Sequence, residues 1–304
     1  MAESIKTLAP NVVAPLPPVV TFESSRANRL GRVLRRNPRL IIGGTILILI
    51  IIMALTAQWW PLPNPERGRA SQAYQAPSGD HWLGTDATGR DVFARVVFGS
   101  RVSLAVGFVA VFMGSVIGGT LGILAGWRGG WFDTLVMRLI DGLLAFPTLL
   151  LAISITAALG ARLETAMLAI GLINIPVFTR LARGQTLQAK NREYIEAAQA
   201  IGVPEARILW RHLLPNILNP LIVQASLALA VAILTEASLS FLGLGVQPPT
   251  PTWGGDINVG RAWLSKNYWW MVVGPGAGIM LTIYAFNLVG DGIRDLLDPR
   301  SQRR

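Results

Sequence analysis

Gly84 and Gly89 bracket the segment GTDATGRD at the spacing of a phosphate-cradling loop. In such a loop backbone amides surround a phosphate, a lysine reaches it, and the next Ser or Thr holds magnesium. Arg90 and Asp91 stand in those two positions here, so the chemistry that hydrolyses ATP has no residues to run on. The chain holds only two histidines, His81 and His212, and no HExxH pair for zinc. It has no cysteine, which removes disulfides, thiolate nucleophiles and Cys-held metals. Neither histidine falls in an apolar stretch, so no Ser–His pairing can be built at bilayer depth. Whatever work this protein does is powered elsewhere.

The elements that must position the remaining polar residues are oily. Of 304 residues, 52% are hydrophobic and 14% charged, where soluble domains carry nearer a quarter. A membrane-crossing helix needs about 20 apolar residues at 1.5 Å each. Six segments qualify: 40–58, 102–127, 135–160, 164–182, 217–243 and 270–290. The fold expected is therefore all-α, a polytopic membrane protein with six transmembrane helices. Residues 1–39 form a tail, 40–58 the first anchor, 59–101 a long loop, 102–292 the core, and 293–304 a second tail. Trp59-Trp60 close the first span as an interfacial anchor. A cleaved signal peptide competes for that span, since Ala54-Leu55-Thr56 carries suitably spaced small residues, but the polar stretch before it is long for one.

The net charge of +10 suits nucleic acid in principle, but the basic residues flank the apolar runs, which is a topology signal. With the N-terminus in the cytoplasm, nineteen of the 27 Lys and Arg fall inside and eight outside. Both termini and residues 185–216 are thus expected in the cytoplasm. The first tail divides into a Pro-rich part, APNVVAPLPPVV, read as extended, and a basic part, RANRLGRVLRRNPRL, read as lying near anionic headgroups.

The stretch 185–216 is long and polar for a connection between two spans. QTLQAKNREYIEAAQAI reads as a helix, Gly202 as a left-handed stop, and Pro204 as the start of PEARILWRHLL, which Pro215-Asn216 ends. Tyr194, Ala197, Ala198 and Ile201 fall on one face. Such an elbow is either a handle for a grooved partner or a loop packed on its own bundle.

Glu196-Ala197-Ala198, three residues, Gly202, eleven residues and Leu214-Pro215 resemble the EAA loop of permease subunits in bacterial ATP-binding-cassette importers. His212 stands where that pattern usually has Ile. HWLGTDATGRDVFARVVFGSRVSLAVG, EASLSFLGLGVQPPTPTWG and NLVGDGIRDLLDPR are similar to the C-type permease of the dipeptide, oligopeptide and nickel branch. The resemblance implies half of a translocation pathway in the bacterial inner membrane, shared with a second homologous permease. It also implies two cytoplasmic ATP-binding subunits and an extracytoplasmic solute-binding protein. ATP and magnesium would then sit on the ATPases, this chain binding no cofactor. Glu196, Ala197, Ala198 and Gly202 would form the ATPase contact and its turn, and Leu214 and Pro215 the return into the membrane. An ion-coupled secondary transporter working as a homo-oligomer is the rival. The solute stays open among peptides, nickel chelates, glutathione, D-amino dipeptides and sugars.

Four further features invite a role. Ala110, Gly114, Gly118, Gly122 and Gly126 recur every four residues, which lets two helices approach closely, as static packing or as a sliding surface. Arg138 and Asp141 lie one turn apart and are expected to neutralise each other. Glu236 is a carboxylate in an apolar run, read as lining the pathway or capping a helix after a break. Asn174 with Pro176 marks an expected kink whose freed carbonyls line a path or bond to Asn174.

Overall fold

The structure, a computed structural model, describes residues 37–297. The tail readings fall outside these residues, apart from the few positions next to the first and last helices. Ten helices follow in order: α1 Pro38–Thr56, α2 Val92–Arg128, α3 Gly130–Leu144, α4 Thr148–Leu159, α5 Leu163–Lys190, α6 Glu193–Ala200, α7 Glu205–Arg207, α8 Leu214–Phe241, α9 Trp253–Arg261 and α10 Trp270–Leu297. Among the described residues there is no β-strand, only an isolated bridge between Thr85 and Asp91.

Helix α2 starts ten residues before the expected span because Asp91 caps it, accepting from the Ala94 amide at 2.7 Å. Its 37 residues make a rod about 55 Å long, well beyond a hydrocarbon core of about 30 Å. The most extensive packing in the molecule joins α2 to α5. A Cβ on Gly118 would lie 2.5 Å from the Ile175 carbonyl, and one on Gly122 2.3 Å from that of Thr179. Gly114 and Gly126 likewise face Asn174 and Thr186. The glycine strip is therefore the contact surface with α5. Around this pair α8 and α10 complete the core, and α1 runs along the outside of α10.

The expected third span, 135–160, is two helices. Pro147 supplies no N–H and forces Phe146 out of helical geometry, so α3 stops at Leu144 and α4 leaves at 86°. Neither piece, at 15 and 12 residues, crosses a membrane alone. The expected fourth span runs on to Lys190, absorbing the start of the expected elbow helix. Pro215 does not end a helix either. From Glu205 the chain runs through a wide π turn at Ile208–Leu213 directly into α8, making one apolar element of 37 residues. Pro215 has no N–H to return to Arg211, and the next residue, Asn216, donates its side-chain Nδ2 to the His212 carbonyl at 2.6 Å.

Gly119 provides an internal control for the helix contact, because a Cβ there would meet nothing within 4 Å. Gly118→Ala and Gly122→Ala should each destabilise the α2–α5 pair by about 1–3 kcal/mol through overpacking. Gly119→Ala should be neutral. Thermal stability and yield of the detergent-extracted protein measure this, and equal behaviour of all three variants would refute a backbone-to-backbone contact.

Candidate functional site

Helix α6 begins with Glu193 and Glu196 in its first turn, where the helix dipole favours negative charge. It ends in a Schellman arrangement: Gly202 N–H donates to Gln199 and Val203 N–H to Ala198, each at 3.0 Å. That geometry needs the left-handed conformation Gly202 adopts, with φ of 76°. Pro204 then caps α7, its carbonyl accepting from Arg207 and Ile208.

The elbow has two faces. Ile195 and Ala198 are buried and pack with Trp127, Ala189, Ile208, Leu213 and Ile217, at the end of the bundle where α2 and α5 meet. Lys190 strengthens this platform by donating to the Trp127 carbonyl at 2.6 Å while lying over the indole ring. The other face carries Tyr194, Glu196, Ala197, Ile201 and Trp210 into the open, with Ile201 81% and Trp210 73% exposed. Sequence spacing had placed Ala197 and Ala198 on one face; the structure divides them. Leu214 is half-buried beside an apolar groove between α2 and α8 that Trp210 also lines, and Pro215 is exposed.

The polar residues inside the bundle are held locally. Glu236 is fully buried, its two oxygens accepting from Ser103 at 2.9 Å and Ser240 at 2.8 Å. Asn174 is buried too and donates to the Ile170 carbonyl at 2.8 Å. Neither side chain presents itself to a surface of this chain. Charge does reach a surface along α3 and α5. Asp141 pairs not with Arg138 but with Arg180, at 2.6 Å and about half-exposed. Asp133 takes Arg183 in a two-pronged contact nearer the elbow. The expected Arg138–Asp141 pairing fails because α5 brings a guanidinium directly opposite Asp141. Leu135, Leu139, Leu144, Phe146, Leu149 and Leu150 of the broken arm are exposed.

At the opposite end of α2, the segment with phosphate-loop spacing turns its amides inward. Asp86 Oδ1 accepts from the Thr88 amide, the Thr88 hydroxyl and the Arg90 amide, at 2.7–2.9 Å. Its own carboxylate occupies the position a phosphate would take. His81 is likewise committed, with Nδ1 2.7 Å from Asp91 Oδ2, fixing the residue that caps α2. Arg95, buried, grips Asp256 of α9. Neither the Arg95–Asp256 pair nor the Asp141–Arg180 pair was predictable, since partners 161 and 39 residues apart leave no local signal. Among the described residues no three His, Cys, Asp or Glu gather to hold a metal.

Residues 118–303 match the sequence model of the family described as binding-protein-dependent transport system inner membrane component. Residues 25–77 match the N-terminal transmembrane domain of oligopeptide transport permease C. A dipeptide transport system permease protein from Alkalihalophilus pseudofirmus is 44% identical over 267 residues, 88% of each chain. A glutathione transport system permease protein from Pectobacterium atrosepticum is 42% identical over 86% of each. In fold, the chain is similar to the MetNI methionine ABC transporter in an inward-facing conformation. That likeness has a TM-score of 0.55 at 21% identity, over 67% of this chain and 96% of that one. With the family domain matched over more than half its length and relatives above 40% identical along nearly all of it, this chain belongs to the binding-protein-dependent inner membrane components, as a permease subunit of an ABC importer.

Proposed function

We propose that this subunit forms half of an inner-membrane pathway for peptides or a related small solute, opened and closed by ATPases that grip its elbow. Permease subunits of this family are not catalytic, the ATPase being a separate subunit. The observation that carries the reading is the two-faced elbow: one face locked to the ends of α2 and α5, the other offering Tyr194, Glu196, Ala197, Ile201 and Trp210 to a partner. Two large exposed apolar side chains on a short helical elbow give a grooved partner something to hold. On this reading Glu196, Ala197 and Gly202 define the contact and its angle, Ala198 anchors it, and Leu214 and Pro215 lead into the membrane.

The remaining partners belong to the same reading. A second homologous permease covers the broken arm α3–α4, which carries exposed apolar side chains and contributes Asp141 to the Asp141–Arg180 pair. A half-exposed ion pair facing lipid would be costly, so this face suits a shared aqueous pathway better. Glu236 and Asn174, satisfied inside the bundle, then support that wall rather than touch solute. Two ATP-binding subunits carry ATP and magnesium in the cytoplasm, and a solute-binding protein delivers from outside. Dipeptide and glutathione permeases among the relatives favour a peptide-like solute. Apart from membrane lipid no other partner is needed, nucleic acid included.

The natural absence of cysteine allows single-cysteine labelling to test orientation. With both termini cytoplasmic, Ala200→Cys should react with an impermeant thiol reagent only after cell rupture. Gln75→Cys and Lys266→Cys should react in intact cells. The reverse pattern would invert the topology.

Coupling is tested at the elbow itself. A Cβ on Gly202 would meet no neighbour, so Gly202→Val acts only through its positive φ, a cost of about 1–2 kcal/mol to the native turn. Gly202→Val and Glu196→Lys should leave subunit stoichiometry intact. Uptake, and stimulation of ATP hydrolysis by loaded binding protein, should fall at least several-fold. Full coupling in both variants would reduce the elbow to a connector.

A further inference from the structure

The apolar groove between α2 and α8 encloses about 410 Å³. Val116, Gly119 and Ile123 line it from α2, and Leu218, Leu221 and Ile222 from α8. Ser115 and Thr120 also border it, but both hydroxyls bond to their own helix. Ser115 donates to the Phe112 carbonyl at 3.0 Å and Thr120 to that of Val116 at 2.7 Å. Trp210, in the π turn at the elbow end, carries the one side-chain donor of the lining that is not bonded within the chain, its indole N–H. Along the two helices themselves, an occupant finds only hydrocarbon.

An engineered cavity of about 150 Å³ takes benzene, so at the same density this groove takes roughly sixteen carbons. Both helices are long and apolar enough to cross a membrane, and Val116, Leu218 and Ile222 stand exposed along the rim. Val116 and Thr120 lie two residues, about 200° round the helix, from Gly118 and Gly122, which face α5. The broken arm packs on α5, so a permease seated against that arm leaves this side of α2 free.

At the elbow end the apolar lining gives way to charge. From Glu205 to Ile217 the segment holds two arginines, Arg207 and Arg211, against one acid, Glu205. Both arginines are exposed, and among the described residues neither has an acidic partner. Arg211 directly follows Trp210, and Arg207 stands three residues before it. Tryptophan favours the boundary between hydrocarbon and headgroups, and basic residues beside spans attract anionic headgroups.

An apolar channel with two cations and an N–H donor at one end is complementary to an amphiphile with an anionic head. We propose that the groove binds an anionic phospholipid. One acyl chain lies between α2 and α8, and the phosphate accepts from Arg207, Arg211 and the Trp210 indole. A free phosphate would meet the arginines but gain nothing from the groove. A net-neutral phospholipid would fill the groove but bring its own ammonium to the arginines. The lipid site holds whether or not an ATPase grips the elbow's open face.

The test uses the complex of both permeases and both ATPases in liposomes. These contain phosphatidylglycerol or net-neutral phosphatidylethanolamine with a diazirine on one acyl chain. After photolysis, crosslinks are mapped at residues 115–124 and 209–225. Phosphatidylglycerol should label both segments at least about fivefold more than phosphatidylethanolamine, since each basic residue adds to the attraction. Arg207→Gln combined with Arg211→Gln should bring that ratio to about one while labelling by phosphatidylethanolamine persists. Gly119→Phe fills the groove from a position whose Cβ meets nothing within 4 Å, so labelling by both lipids should fall several-fold. Subunit stoichiometry is checked on the same samples. Equal labelling by the two lipids, or a preference that survives loss of both arginines, would overturn the proposal. So would labelling unchanged in Gly119→Phe, or no labelling of either segment, which would mean that protein covers the groove.

Discussion

The close approach of α2 and α5 governs the rest of the molecule. In lipid no hydrophobic force draws helices together, so association depends on dispersion contacts and on backbones coming near enough to make them. Four glycines one turn apart allow this, setting the surface of α2 against the Ile175, Thr179 and Arg183 carbonyls of α5. Once the two rods are fixed, their shared end presents Trp127 and Ala189 as the seat for α6 and the π turn. Fixing α5 also brings Arg180 and Arg183 opposite Asp141 and Asp133, which aims the broken arm. Seat and arm are thus consequences of a single contact.

The buried carboxylates illustrate how one residue type serves different ends. Glu236 accepts two serine hydroxyls and closes a local network across α2 and α8. Asp91 spends one oxygen capping α2 and the other on His81. Asp86 folds a loop around itself. Asp256 gives one oxygen to Arg95 and leaves the other, buried, without a hydrogen bond. All four are held through at least one oxygen by groups of this chain and so serve as architecture.

What was legible in the sequence was local. The helical class, the small-residue strip and the turn at Gly202 each depend on residues within one or two turns, and periodicity or backbone preference exposes them. Even the Schellman stop, with Val203 reaching back to Ala198, is visible in the Gly-Val-Pro that creates it. The break at Pro147 was also local, yet the apolar run on both sides concealed it, because hydropathy sums composition and ignores the bend. Ala198 was misplaced in direction since helical spacing alone does not say which face the bundle claims. Arg180 opposite Asp141 and Arg95 opposite Asp256 lay beyond reach for another reason. Each pairing is decided by how whole helices dock, and no spacing rule encodes that.

Proline interrupts α5, α8 and α10 at Pro176, Pro220 and Pro275, but α2 has none along its 37 residues. Its first turns are clamped by Asp91 and Arg95 onto His81 and α9, and its last turn is the floor on which α6 rests. A stiff beam of that length converts angle into travel. A tilt of about 5° about one end moves the other by roughly 5 Å, close to a full helical turn. The cap around residues 81–95 and the elbow, at opposite ends of α2, therefore share one mechanical degree of freedom. What seats more firmly at one end biases where the other can rest.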